Sequence, residues 1–321
     1  MARLEANLAA VSIVKALQTE DRAATPAEQE ILARWSGWGA VAAVFEEKLG
    51  ESRALTQGRQ QLEALLTDRE YAAARLNTIN AHYTGTALAQ AMWDGLGAFG
   101  FTGGRVLEPG CGAGTFIGLA PLGTAMVGIE LDPVTAHVAA ALYAHAQIRN
   151  ENFADTQLPE GSFDAVIGNV PFGSIHMKDS RHNPGRRHPI HTHFLLKSAA
   201  LVRPGGWIAL ITSRYTLDGV GADAVAARRQ LATLGELTAA VRLPSSAHRR
   251  AAGTDVVTDV LVIRRFENGE QPRPASPPGY RRSPWTSTAC RSPSTGTSPT
   301  TPAWCWATWL RAGRGGPMTC R

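Results

Sequence analysis

Residues 105–116 read RVLEPGCGAGTF. A short apolar run, Val106 and Leu107, ends on Glu108 and is followed by Gly110, Gly112 and Gly114. Apolar residues bounded by glycine punctuation read as a buried strand that runs into a tight turn. Glycine lets the backbone pass close to a ligand, so such a turn can cradle one. A dinucleotide loop would normally spell G-x-G-x-x-G and set a pyrophosphate on the next helix N-terminus. Here a carboxylate ends the strand just before the glycines. It would repel a pyrophosphate and suits a ligand with an ammonium or sulfonium group. The alternative is a plain turn in which Glu108 caps a helix. Glu130 lies 22 residues later, at the end of the next apolar run, TAMVGIE. That is where an acid is expected to meet ribose hydroxyls.

Outward from this loop, strand and helix patterns alternate. RVLEPG, TAMVGIELDP, AQIRNENF, FDAVIGNVPFG, PGGWIALITSRY, LTAAVRLP and DVVTDVLVIRR are seven strand-like runs. Helices are expected near Pro133–Tyr143 and His193–Leu201. The alternation predicts an α/β, doubly wound, Rossmann-like sheet of seven mostly parallel strands with helices on both faces. Ligands bind such sheets at the carboxyl ends of the strands. Glu108, Glu130, Asn152 and Asn169 stand at those ends. A cationic ligand that also carries a ribose describes S-adenosylmethionine. Ahead of the sheet, residues 3–20, 26–35 and 58–79 have helical spacing, interrupted by SGWGAVAAVFEE. Residues 1–80 therefore read as a helical N-terminal extension. A turn at Thr84-Gly85 precedes a helix over Thr86–Leu96, which Gly97 is expected to end.

The 321 residues suffice for one large α/β domain plus additions. No apolar run is long enough to span a bilayer and no leader is visible, so a cytoplasmic location is expected. The net charge of +5 comes from the last stretch. Residues 271–321 hold seven Arg, no Lys and no acid, which leaves 25 basic and 27 acidic residues, about −2, over 1–270. The same stretch holds nine of 19 Pro, four of eight Trp and three of four Cys, without periodicity. Natural linkers are rarely rich in Trp and Cys and empty of acids. Residues 269–321 are expected to be a disordered, out-of-frame tail; a basic tail that touches nucleic acid is the alternative. No cysteine sits in a CxxC pair, so neither a disulfide framework nor a zinc site is expected. Cys111 reads as a small residue filling a tight loop.

VLEPGCGAGTF, GIELDP and GNVPFG together resemble the class I methyltransferases, specifically the adenine-N6 DNA methyltransferases, over roughly residues 81–266. That group is marked by a strand, then Asn or Asp, then Pro-Pro and an aromatic. SGWG, NAHYT, RHNPGR and AGTDVVTD resemble, more narrowly, the amino-terminal methylase part of very large plasmid and phage proteins that join this domain to a helicase. The resemblance implies a methyltransferase domain over 81–268, DNA as partner, a helicase portion absent from this chain, and S-adenosylmethionine as cofactor.

The resemblance also implies roles for particular residues. Tyr83 and Thr84 would close over the methionine part of the cofactor. Glu108, Gly110, Gly112 and Gly114 would hold methionine and ribose, and Glu130 the ribose hydroxyls. Ile129 or Leu131 would flank the adenine ring. Asn152 would meet the cofactor's adenine amine, with Asp155 as a substitute, and Phe153 would pack on the ring. Asn169, Val170, Pro171 and Phe172 would be the catalytic turn. An exocyclic adenine amine is a poor nucleophile, because its lone pair is delocalised into the ring. Two acceptors, the Asn169 side-chain oxygen and the residue 170 carbonyl, would direct that lone pair at the methyl group. Phe172 would stack on the flipped base, and Pro171 would stiffen the turn. No metal and no strong base is required. Val170 departs from the family, where Pro is usual, which implies a less constrained loop. Other readings stay open. Asn169 could merely cap a turn. The substrate could be RNA or a protein glutamine, or the chain could be a truncated, non-catalytic remnant.

Residues 174–193 hold five of the nine histidines and four basic residues. They read as a loop that touches phosphates and shapes the base pocket, or as a solvated basic loop. A metal would need His191 and His193 with further ligands. AHRRAAG at 247–253 is a second candidate phosphate loop.

Overall fold

The computed structural model describes residues 1–46, 52–78, 84–185, 188–248 and 256–270. The N-terminal part contains α1 (Ala2–Glu20), α2 (Pro26–Leu32), a 3-10 segment over Trp38–Phe45, α3 (Arg53–Leu65) and α4 (Asp68–Asn77). Then follow α5 (Thr86–Ala98), β1 (Gly104–Pro109), α6 (Thr115–Gly118), β2 (Thr124–Glu130), α7 (Pro133–Leu142), β3 (Gln147–Asn150) and β4 (Phe163–Asn169). The remainder is α8 (Ile190–Leu201), β5 (Val202–Ser213), α9 (Tyr215–Asp218), α10 (Ala222–Leu234), β6 (Gly235–Arg242) and β7 (Thr258–Arg265).

Among the described residues the strands form one seven-stranded sheet in the order β3-β2-β1-β4-β5-β7-β6. β1 to β5 pair in parallel, and β7 runs antiparallel between β5 and β6. The expected mostly parallel, doubly wound sheet is what the chain forms. Alternation along the strands sends successive side chains to opposite faces. Leu107, Val166 and Leu210 meet Leu195 of α8 and Leu231 of α10 on one face. Val106, Ile167 and Ile211 meet Met92, Trp93 and Leu96 of α5 on the other.

The N-terminal helices build their own core, with Leu4, Val11, Trp38, Val44 and Leu62 buried together. That core includes Val134 and Val138 of α7, so these helices pack onto the sheet's flank. Local signals explain where the elements differ from expectation. The single helix expected over 58–79 is two, because Thr67 and Glu70 form a capping box that starts α4. Ser52 accepts from the Leu55 N–H and starts α3 at Arg53. Gly97 does not end α5, which continues to Ala98. Three residues earlier than expected, α8 starts behind Pro189, and its first turn contains His191 and His193. The amphipathic stretch 222–234 forms α10, buried through Ala227 and Leu231, and was not singled out in the sequence. The tail over 271–321 and Tyr83 lie outside the described residues, as does most of AHRRAAG.

Candidate functional site

Strand order reverses between β2-β1 and β4, which opens a crevice beyond the carboxyl ends of these strands. A cavity lies there. Glu108, Gly110, Cys111 and Gly112 border it after β1, and Glu130, Leu131 and Asp132 after β2. Asn152 and Phe153 border it after β3, and Asn169, Val170 and Pro171 after β4. Thr84, Ile129, Met177, Ile190 and Phe194 are also part of the wall, and Trp38 and Asn77 reach it from the N-terminal helices. One cavity therefore brings together most of the residues picked out in the sequence.

Glu108 is 3% exposed. Backbone N–H groups of Ile117 and Phe116 at α6 bond its carboxyl, yet burial pushes it well above the ordinary carboxylate range, with the Glu130 charge adding to the effect. Its Oε2 is buried with no hydrogen-bond partner among the described residues. A desolvated carboxyl with an open acceptor in a cavity is costly alone and suits an incoming ammonium. Glu130 is pre-set differently. Its Oε2 accepts the Gly112 N–H at 2.8 Å and its Oε1 the Asp132 N–H at 2.8 Å. Burial pushes its carboxyl up to about 7. The two bonds fasten the glycine turn to the end of β2 and leave further acceptor capacity for hydroxyls. Ile129 is buried beneath, while Leu131 is 57% exposed at the rim.

At four positions the geometry bears on the expected role. Gly114 does not border the cavity. It sits at φ +83° before α6, and a Cβ there would stand 2.7 Å from Tyr143 Cε2, so this glycine makes room for a ring of the protein itself. The Asn152 amide is engaged locally: its oxygen accepts the Ala154 N–H at 3.0 Å and its nitrogen donates to Asp155 Oδ2 at 3.1 Å. Asp155 thus anchors Asn152, and does not border the cavity. Val170 does not leave the turn after β4 loose. Its N–H donates to the Ile211 carbonyl at 3.1 Å and carries the β4–β5 pairing one residue further, a bond that proline could not make. Phe172 is half-buried and does not border the cavity.

Other placements are simpler. Pro171 borders the cavity beside the glycine turn, its Cδ 3.6 Å from where a Gly110 Cβ would stand. Phe153 packs on Phe194 with ring centroids 4.7 Å apart. Cys111 is buried, and its sulfur lies against the Gly128 backbone. His191 and His193 are buried, and no cluster able to hold a metal occurs among the described residues.

Sequence reasoning missed Asp132, Trp38 and Asn77. Asp132 caps α7, its Oδ1 accepting the Thr135 N–H at 2.7 Å and the Trp38 indole N–H at 3.1 Å. Asn77 Nδ2 stands 3.5 Å from Asp132 Oδ2. An Asp before a Pro at the first helical position is a readable cap signal. Nothing local marks Trp38 or Asn77, whose contacts span 94 and 55 residues.

The family described as Eco57I restriction-modification methylase matches residues 137–245. The chain is 28% identical over 194 residues to the defense against restriction protein B of Escherichia phage P1. That match covers 59% of this chain and 8% of the phage protein, so the chain spans a small fraction of that relative. It is 24% identical over 213 residues to the rRNA N(6)-adenosine-methyltransferase metl-5 of Caenorhabditis elegans, covering 59% of this chain and 90% of that protein. Among solved structures, a modification subunit assigned to a type I restriction enzyme of Vibrio vulnificus YJ016 superposes with a TM-score of 0.50 at 18% identity. It covers 68% of this chain and 51% of that one. The likeness shows a shared fold, and the chain resembles the restriction-modification methylases.

Proposed function

We propose that this chain transfers a methyl group from S-adenosylmethionine to the N6 amine of adenine in DNA, with residues 81–268 as the transferase unit. The observation that carries the reading is one cavity bordered both by Glu108 and Glu130 and by Asn169, Val170 and Pro171. When bound, S-adenosylmethionine supplies an electrophilic methyl on a sulfonium. Glu108 receives the ammonium of its methionine part, and Glu130 accepts from the ribose hydroxyls. Phe153 and the exposed Leu131 flank the adenine. Asn169 Oδ1 and the Val170 carbonyl accept the two hydrogens of the target amine and turn its lone pair towards the methyl group. The Val170 N–H bond to Ile211 holds that carbonyl in place. The surplus proton leaves to water, so no strong base is needed.

A cytoplasmic location goes with that substrate, and a helicase portion is the partner the phage resemblance suggests. The test is a labelled-methyl assay of the purified chain on adenine-containing DNA, with structured RNA and a glutamine-bearing peptide as alternatives. Incorporation into N6-methyladenine of DNA supports the reading. Label in the RNA alone would favour the second reading, adenine in RNA, which the worm relative motivates through the same amine chemistry. Cofactor binding without transfer to any acceptor would leave a non-catalytic binding module.

A further inference from the structure

Lys197 of α8 is 2% exposed, and its ammonium lies inside the core. It donates to the carbonyl oxygens of Phe153 at 2.6 Å, Ala154 at 3.1 Å and Thr156 at 3.1 Å, and to Asp179 Oδ2 at 3.1 Å. It also lies 5.0 Å from the centre of the Phe153 ring. The three carbonyls belong to the turn after β3, which brings Asn152 and Phe153 to the cavity. Asp179 belongs to the loop after β4, which brings Met177 to the same cavity.

Asp179 is itself a hub. Its Oδ1 accepts the N–H groups of Arg181 at 2.9 Å and His182 at 3.0 Å. Its Oδ2 lies 3.0 Å from His193 Nε2 and 3.3 Å from His182 Nδ1. Burial pushes its carboxyl up, but hydrogen bonds from the His182 N–H, His193, the Arg181 N–H and Lys197 together hold it well below the usual carboxylate range. Asn183 closes the rest of the loop, donating to the Met177 and His188 carbonyls at 2.9 and 3.1 Å. The loop is therefore built around two buried polar side chains. Burying an ammonium costs several kcal/mol, which charge-assisted bonds offset only when geometry is good. An apolar side chain would pack as well, but it would not fix three carbonyls and a carboxylate relative to one another.

We propose that Lys197 and Asp179 are positioning residues, a buried strut that makes order in the turn 152–156 depend on order in the loop 174–185. Assigning a cofactor side to the first and a target side to the second rests on the methyl-transfer reading; the strut itself does not. The test is amide hydrogen exchange on the full chain, wild type against Asp179→Asn. Exchange at Ala154, Asp155 and Thr156 is expected to rise about tenfold, although Asp179 bonds none of these amides, while Val11 and Val14 of α1 keep their protection. Lys197→Met is expected to expose the Arg181 and His182 amides in the same local way. Unchanged exchange over 154–156, or a rise spread evenly through α1, overturns the proposal. Should Asp179→Asn fail to fold, Asp179→Glu keeps the charge, shifts it by one methylene and is read at the same amides. Calorimetry with S-adenosylmethionine runs alongside. Binding by the wild type and weaker binding by Asp179→Asn supports the strut. Equal binding by both overturns its role in the site. A wild type that does not bind sinks the methyl-transfer reading instead, and the exchange pattern still decides the strut.

Discussion

The indole N–H of Trp38 donates to Asp132 Oδ1 at 3.1 Å, and the Asp132 N–H in turn donates to Glu130 Oε1 at 2.8 Å. A residue of the N-terminal helices is thus two hydrogen bonds from the acid at the end of β2. Trp38→Phe keeps most of the apolar volume and deletes the donor, leaving buried Asp132 with one partner fewer. A loss of about 1–3 kcal/mol is expected, or several degrees of melting temperature. Cofactor affinity should fall with it. A melt indistinguishable from wild type would show that this link contributes nothing.

Glu130 makes stability depend on pH. Burial raises its carboxyl from 4.5 to about 7, so the folded state holds that proton more tightly than the unfolded chain. The stability it contributes is complete below pH 4.5 and is lost as the pH rises through 7, by up to about 3 kcal/mol. Denaturant melts of the unliganded chain should therefore weaken between about pH 4.5 and 7 and change little above that. Glu130→Gln should flatten that slope while losing one accepted backbone hydrogen bond and the ability to bind S-adenosylmethionine. The same slope in the variant would contradict the assignment to Glu130.

Asn169→Ala removes the proposed side-chain acceptor at the end of β4. Methyl transfer is expected to fall by about 100-fold or more, with cofactor affinity little changed, because the role proposed for Asn169 is towards the target amine and not the cofactor. Single-turnover assays with saturating cofactor separate the two effects. Retained transfer would remove Asn169 from the mechanism.

Val170→Pro restores the residue usual in the resembled methyltransferases, yet here it is expected to do harm. The Val170 N–H to Ile211 carbonyl bond disappears, at a cost of about 1–3 kcal/mol, and the transfer rate does not rise. A more stable or faster variant would show that this turn tolerates proline as well as its relatives do.

Some of this was legible from residue order alone because its signals are local. The run into Glu108 and the glycines, the second acid at Glu130, and the apolar strand ending at Asn169 are set by neighbours in the chain. Their pattern was enough for a doubly wound sheet, and the expected carboxyl edge is where the cavity lies. The capping box at Thr67 and Glu70 was equally local and could have divided the helix expected over 58–79.

Long-range geometry decided the rest. Gly114 reads like a ligand-cradling glycine, but the space it leaves is taken by Tyr143. His191 reads as part of a loop that touches phosphates or is merely solvated, and His193 as the start of a helix, but a helix beginning at Ile190 carries both into the core. Residue order by itself determined the strands, the turns and the carboxylates at their ends, because hydrophobic period and glycine placement act over a few residues. Only the tertiary structure decided that Trp38 and Asn77 meet Asp132, and that Lys197 meets Asp179. Such partners are chosen by the packing of distant segments, and a buried donor finds its acceptor only after the chain has closed around both.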